Sequence, residues 1–442
     1  MHDVSLVMAL DRREYGSALA EPGTVAFLLT NSRALPEADA AALNETVAAD
    51  LFAVEAESGA ELTLVSRSDS TLRGHVVAEV DALDHARRAA HGTGYDGILI
   101  VPAFFEAGRL TVGDIHWVTD ANGAVPASES EFARDATFGY TALTLPEFMV
   151  EKGQGRLSLE DVISIPLADL RNGGPDLVAS ILADVSRGRY VVVNAASYAD
   201  LEIVVLGLQQ AEATGKRFLH RCGPSFVRAL AGIEPAAPLT AERIPLAALR
   251  GARHGLVVAG SHVGMTTRQI EVARARGDLV EVEVEAAGLA AEATAEAVVD
   301  GAVRRIQDAL ALADSDVIVY TSRELLRDDD PGTSLDIARR ISRGLVRITL
   351  AVRTLRPAWV IAKGGITSHD IAALALGIRR GRVLGQVLPG AISVLRPEDA
   401  PPEVIGMPYV IFPGNVGGDE ALADTIDLLR AAVELDRERE RP

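Results

Sequence analysis

A chain of 442 residues has room for two or three domains, each large enough to bury its own core. With 48% hydrophobic but only 4% aromatic residues, such cores must be built from Ala, Val, Leu and Ile, a composition that suits helices packed on parallel strands. A formal net charge of -19 argues against nucleic acid or an anionic membrane as the main partner; no apolar run spans a membrane and no signal-peptide h-region is present, so a cytoplasmic location is expected.

In chain order, an apolar strand is expected over Thr24–Thr30, ending at Asn31-Ser32-Arg33, and a helix over about Glu37–Glu57 that Gly59 stops. Leu62–Val65 reads as the next strand. It runs into Arg67-Ser68-Asp69-Ser70-Thr71-Leu72-Arg73-Gly74, after which His75–Ala90 carries Val76, Val77, Val80 and Leu83 at helical spacing. A strand-to-helix turn is where an α/β protein places its chemistry, and this one combines two arginines, a carboxylate and three hydroxyls. The plainer reading is a capped helix start with a solvated charge pair.

Gly97–Pro102 is an apolar run of the kind buried on both faces, and it leads through Phe104-Phe105-Glu106-Ala107-Gly108 to Arg109. Three successive strands thus deliver arginines at their C-terminal ends: Arg33, then Arg67 and Arg73, then Arg109. On one edge of a parallel sheet these can converge on a carboxylate or phosphate. Ile115–Arg156 is irregular and reads as an insertion, with a hairpin turn at Asn122-Gly123. Alternation then resumes with strands at Val162–Leu167 and Tyr190–Asn194 and helices at Asp176–Ser186 and Asp200–Thr214. Cys222, the only cysteine, excludes an internal disulfide and a cysteine-based zinc site; its setting, Arg221-Cys222-Gly223-Pro224, reads as turn-like and structural.

A shift to Pro, Ala and Gly marks a linker at 232–250, which separates a domain at 1–231 from one at 251–442. The second half repeats a strand, a glycine turn and a helix three times. Gly255–Gly260 leads into Ser261-His262-Val263-Gly264, Ala358–Ala362 into Lys363-Gly364-Gly365-Ile366-Thr367-Ser368, and Tyr409–Phe412 into Pro413-Gly414-Asn415-Val416-Gly417-Gly418. Glycines at a strand exit admit a phosphate to the backbone, so the three turns suggest a nucleotide pocket. None fits a Walker A loop or the dinucleotide fingerprint, which disfavours a nicotinamide-dependent oxidoreductase. His75, His116, His262 and His369 are expected to be local polar groups, since no histidine pair has helical metal spacing.

The chain resembles the four-carbon acid sugar kinases, which act on threonate, erythronate and oxo-tetronates. The resemblance rests on Thr30-Asn31-Ser32-Arg33, Asp69-Ser70-Thr71-Leu72-Arg73-Gly74, Val101-Pro102-Ala103-Phe104 and Ala107-Gly108-Arg109 in the first half. In the second half it rests on Ala259-Gly260-Ser261 with Gln269, Gly364-Gly365-Ile366-Thr367-Ser368, Leu388-Pro389-Gly390 and Pro413-Gly414-Asn415-Val416-Gly417. It implies an α/β protein of two domains, each a largely parallel sheet flanked by helices, with substrate bound by the first, nucleotide by the second and catalysis in the cleft between them. On the matching positions, Arg33, Arg67, Ser68, Asp69, Ser70 and Arg109 would bind the sugar acid. Asp69 would orient or deprotonate its terminal hydroxyl, and Arg73 or Arg109 would neutralise the transferring phosphoryl group.

Ser261, Gly364, Gly365, Ile366, Thr367, Gly390, Gly414, Asn415 and Gly417 would bind ATP, with Mg²⁺ bridging its phosphates. Members of the family begin with a strand running into an Asp-Asp-x-Thr-Gly motif, and Met1-His2-Asp3-Val4 starts after that place. The alternative reading is therefore a ligand-binding or regulatory homologue without turnover. A homodimer is the default expectation.

Overall fold

The computed structural model describes residues 3–120, 123–246, 253–260, 264–312, 315–322, 331–388, 391–414 and 416–440. The chain forms two compact units, one of Leu10–Pro22 and Thr30–Pro235, the other of Met1–Ala9, Gly23–Leu29 and Ala236–Pro442. Backbone pairing, rather than sequence order, puts the two short N-terminal pieces with the second half. Part of the expected linker, 247–250, lies outside the described residues.

The first unit is built on a five-stranded parallel sheet in the order Val65–Arg67, Phe218–Cys222, Gly97–Val101, Arg189–Val193, Val162–Ile165. Ile98, Ile100, Tyr190, Val192 and Leu219 turn one face toward helices Glu37–Ser58, Val76–His91 and Leu145–Gly153, which contribute Phe52, Val80, Leu83, Phe148 and Met149 to a shared core. By the period of two, Leu99, Val191 and Val193 belong to the opposite face, and they too are buried. Glycines in left-handed backbone, Gly59 and Gly92, stop the first two helices.

Two expectations for this sheet are corrected. The strand read at Leu62–Val65 forms instead at Val65–Arg67, because Val65, Ser66 and Arg67 pair with His220, Arg221 and Cys222, while the Leu62 amide is taken by Glu55 Oε1 at 2.8 Å. Phe218–Cys222 is not turn-like but a fully buried interior strand. Its polar residues hid it: His220 and Arg221 look exposed in sequence yet are buried. The Cys222 thiol, pushed up to about 12 by burial, is structural and unreactive.

Arg109 opens a separate antiparallel sheet of Arg109–Val112, Ile115–Asp120 and Gly123–Pro126, whose last connection contains the undescribed 121–122.

The second unit holds a nine-stranded sheet. Leu279–Val284, Asp316–Thr321, Leu256–Ala259, Val360–Lys363 and Tyr409–Phe412 are parallel neighbours in that order. Ile392–Asp399 and Arg380–Leu388 continue it antiparallel, and Val4–Val7 and Ala26–Leu28 complete its edge. Its core joins Val257, Ile318, Trp359, Ile361, Val410 and Phe412 to Ile270 of helix Gly264–Ala275 and to Leu422, Ile426 and Leu429 of helix Ala421–Glu440. The strand expected over Thr24–Thr30 is thus reduced to Ala26–Leu28 and lies on this sheet, so Arg33 is not delivered by a strand of the five-stranded sheet. Among the described residues, no helix is long and apolar enough to cross a membrane.

Candidate functional site

After Arg67 the chain turns back on itself. Ser68 donates its amide to the Cys222 carbonyl at 2.8 Å, and Leu72 donates to the Asp69 carbonyl at 3.2 Å. Leu72 adopts a left-handed backbone with φ 69° and a buried side chain. That conformation costs a leucine roughly 1–2 kcal/mol, which burial in the cluster containing Val76, Val77 and Val80 offsets. Gly74 follows at φ 131°, where a Cβ would also stand 3.3 Å from Arg221 Nη2.

The reversal folds Asp69, Thr71 and Arg73 onto one another. Asp69 Oδ2 accepts from Thr71 Oγ1 at 2.5 Å and from Arg73 Nε at 2.9 Å, and Arg33 Nη1 approaches the same oxygen at 3.6 Å. Burial pushes the Asp69 carboxyl up, but the bonds from Thr71 and Arg73 and the charges of Arg73 and Arg33 outweigh it and hold it below its ordinary range. Asp69 is therefore ionised at neutral pH. Its Oδ2 is fully engaged, and Oδ1 carries none of these contacts.

The expected arginines assemble unequally. Arg33 and Arg73 meet on Asp69 directly, although Arg33 arrives on the short turn Ser32–Ala34. Arg109 joins through an aromatic ring: the guanidinium carbons of Arg73 and Arg109 lie 5.1 and 5.5 Å from the centre of Phe132. Asp135 Oδ2 stands 3.6 Å from Arg73 Nη1. Arg67 is exposed at the strand exit, with Nη1 donating to the Ser68 carbonyl at 3.2 Å. Phe132 and Asp135 were not legible as site residues, since both come from the irregular insertion and no periodicity marks them.

His116 supports the loop from below. It is buried, its Nε2 lies 2.8 Å from the Ser70 carbonyl and its Nδ1 lies 3.0 Å from Thr111 Oγ1. Only a donor satisfies a carbonyl, so Nε2 carries the proton and Nδ1 accepts from the threonine. Burial pulls its pKa down to about 4, against the smaller upward pull of the Ser70 bond, which keeps the ring neutral. Tyr140 completes the clamp, its hydroxyl donating to the Thr71 carbonyl at 3.3 Å.

In the second unit the strands that lead into the three expected glycine turns are parallel neighbours. Residues 261–263 of the first turn lie outside the described residues, and the second is a turn only at Gly364, because the helix Gly365–Asp370 begins directly after it. The Gly260 amide donates to the Lys363 carbonyl at 3.2 Å, and the Gly364 amide to the Phe412 carbonyl at 2.9 Å. A Cβ on Gly260 would stand 2.5 Å from Thr367 Oγ1 and 2.9 Å from Leu345 Cδ1, so Gly260 packs against the helix Gly365–Asp370 only because it is a glycine.

Buried side chains of helix Gly264–Ala275 hold the third turn. Thr266 Oγ1 donates to the Gly414 carbonyl at 3.0 Å, and Gln269 Nε2 to those of Val416 and Gly418 at 3.0 and 2.8 Å. Gly417 takes φ 80° within it. Lys363 is fully buried, with Nζ 3.3 Å from the Pro413 carbonyl and 3.8 Å from the centre of the Phe412 ring. Burial pulls its pKa down to about 8. Ser261, Gly390 and Asn415 lie outside the described residues, as does the Ile366 side chain.

Residues 1–230 match the model of a sugar-binding N-terminal domain, and residues 256–422 match that of a nucleotide-binding C-terminal domain. The D-threonate kinase of Salmonella typhimurium is 26% identical over 413 residues, covering 90% of this chain and 86% of that protein. Two crystal structures share the fold. One, from Salmonella typhimurium LT2 and described as a tRNA synthase, is 18% identical with a TM-score of 0.70 and covers 96% of this chain and 93% of its own. The other, from Haemophilus influenzae, is 16% identical with a TM-score of 0.63 and covers 96% and 94%. At such identities the two structures speak for the fold alone.

Proposed function

The chain belongs to the four-carbon acid sugar kinase family, and on that footing we propose that it transfers the γ-phosphoryl group of ATP to a terminal hydroxyl of a four-carbon sugar acid. Threonate, erythronate and the oxo-tetronates are the candidate substrates. The observation that carries the proposal is the convergence of Arg33 and Arg73 on an ionised Asp69, with Arg109 across the Phe132 ring, inside the stretch matched by the sugar-binding domain.

In this reading Arg33 and Arg67 hold the substrate carboxylate, and Ser68 and Ser70 line its hydroxyl groups. Asp69 Oδ1 accepts a hydrogen bond from the reacting hydroxyl. A carboxylate held below its ordinary pKa is a poor early base, so its contribution is orientation, with the proton accepted late in a largely dissociative transfer. Arg73 and Arg109 then offset charge on the phosphoryl oxygens. The turns at Gly260, Gly364–Thr367 and Gly414–Gly417, with Ser261, Gly390 and Asn415, are the proposed ATP contacts.

Among the described residues no group of three His, Cys, Asp or Glu side chains could hold a metal ion, and Asp69 Oδ2 is committed to donors. This donor set does not fit a resident Mg²⁺, so the ion belongs to the MgATP substrate. The reading sets the reaction in the cytoplasm, where ATP is supplied.

The test is ADP release by the purified protein with Mg-ATP and a panel of four-carbon acids. Saturable turnover with one or more of them is expected. Absence of turnover with every acid overturns the kinase reading, and calorimetric binding without turnover would identify a binding protein.

A further inference from the structure

Behind the turn that carries Arg33 lies a buried charge pair outside the substrate contacts. Glu79 on helix Val76–His91 and Arg221 on the strand Phe218–Cys222 are each 5% exposed and form an ion pair through Glu79 Oε2. Arg221 Nη1 also donates to Ser66 Oγ at 2.7 Å, next to Arg67. The second carboxylate oxygen, Glu79 Oε1, accepts from Ser32 Oγ at 2.5 Å, and Ser32 immediately precedes Arg33. At the start of the same helix, His75 Nε2 lies 2.9 Å from the Leu35 carbonyl and donates to it. The arginine turn is thus held at both ends by the helix that follows the Asp69 motif.

A buried ion pair is seldom a gain in stability over well-packed apolar residues, because both charges must be desolvated. Here both carboxylate oxygens are committed, one to the sheet and one to the turn, so the side chain has a fixed orientation. We infer that Glu79, itself set by Arg221, is a positioning residue that fixes the Ser32 hydroxyl and thereby aims Arg33 at the acid held beside Asp69. The inference rests on the sugar-acid reading of that site. Ser32 is the place to test it, because its side chain is only partly buried and the change leaves the ion pair intact.

Steady-state kinetics with the four-carbon acid that the wild type turns over best is the primary measurement. Ser32→Ala is expected to raise the KM for the acid at least about fivefold, with kcat and the KM for ATP within about twofold. Ser32→Thr, which keeps the hydroxyl, restores the wild-type KM. The Ser32→Ala/Arg33→Ala double variant is no worse than Arg33→Ala alone, since both remove the same contact.

An unchanged KM in Ser32→Ala, or additive effects in the double variant, overturns the inference. Backbone hydrogen exchange reads the tether independently of activity. In folded Ser32→Ala the amides of Ala34 and Leu35 are expected to exchange about tenfold faster, with the strand Gly97–Val101 unchanged, and unaltered exchange overturns the inference. Glu79→Gln, where it folds, shows the same loosening. If the wild type turns over no four-carbon acid while exchange shows the loosening, the kinase reading fails and the tether stands.

Discussion

Arg33 Nη1 lies 3.6 Å from Asp69 Oδ2, although the strand before Arg33 and the strand before Asp69 belong to different sheets. Asp69→Asn keeps the shape of the side chain and removes its charge. It is expected to lower kcat on the order of 10²–10⁴-fold, while Arg33→Ala acts mainly on the KM for the acid. Arg33 is more than half exposed, so its loss changes stability by less than about 1 kcal/mol. The pKa of Asp69 is lowered in the folded state. Its contribution to stability is therefore complete above the ordinary carboxylate value near 4 and is lost as pH falls below it. Kinetics and denaturant titrations across that range check both statements.

Two buried histidines, His116 and His220, give the first unit a predictable acid response. Burial pulls each down to about 4 from 6.5. Both are neutral in folded and unfolded chains above pH 6.5. Between 6.5 and 4 only the unfolded chain takes up the protons, so stability falls by about 3 kcal/mol per histidine and then levels off. Neither ring nitrogen of His220 has a hydrogen-bond partner. His220→Leu is therefore expected to be neutral or stabilising at pH 7 and to remove its share of the acid loss. His116→Phe strands the Ser70 carbonyl and costs about 1–3 kcal/mol at pH 7. Chemical denaturation at pH 7, 5.5 and 4.5 separates the two, and equal slopes in wild type and His220→Leu would refute the assignment.

Gly260→Ala tests the contact between Gly260 and the helix that follows Gly364. The added methyl meets Thr367 Oγ1 and Leu345 Cδ1 within 3 Å, so the start of the helix Gly365–Asp370 must move. A stability loss of about 1–3 kcal/mol is expected, with the KM for ATP rising about tenfold and the KM for the acid unchanged. A rise confined to the acid would show that these turns do not serve the nucleotide.

Lys363→Met separates stability from activity. At pH 7 the buried ammonium carries a desolvation cost that the Pro413 carbonyl and the Phe412 ring offset only in part, and its neutral replacement is expected to stabilise the protein by about 1 kcal/mol. With a folded pKa near 8, below the unfolded value of 10.5, wild-type stability rises with pH between those values, a rise the variant lacks. Turnover is expected to fall at least about tenfold, because the positive charge beside the Gly364 turn is gone. Thermal melts from pH 7 to 10 and ADP release provide the two readouts.

Elements whose signal is local were legible from the residues alone. Helical spacing from Val76 to Leu83, the stop at Gly59 and the apolar run at Gly97 all depend on a few adjacent residues, and each is where it was expected. The Asp69 motif was likewise legible, since its chemistry is contained in eight consecutive residues.

Features that depend on a distant partner came into view only in the fold. The strand at Phe218–Cys222 was hidden because His220 and Arg221 read as surface residues until burial and, for Arg221, the charge of Glu79 are in view. The sheet chosen by Ala26–Leu28, the approach of Arg33 to Asp69 and the placing of Phe132 against two arginines follow from pairing and packing across long separations in sequence. Local propensity carries no record of such partners, because whether a charge can be buried is settled by the group it meets.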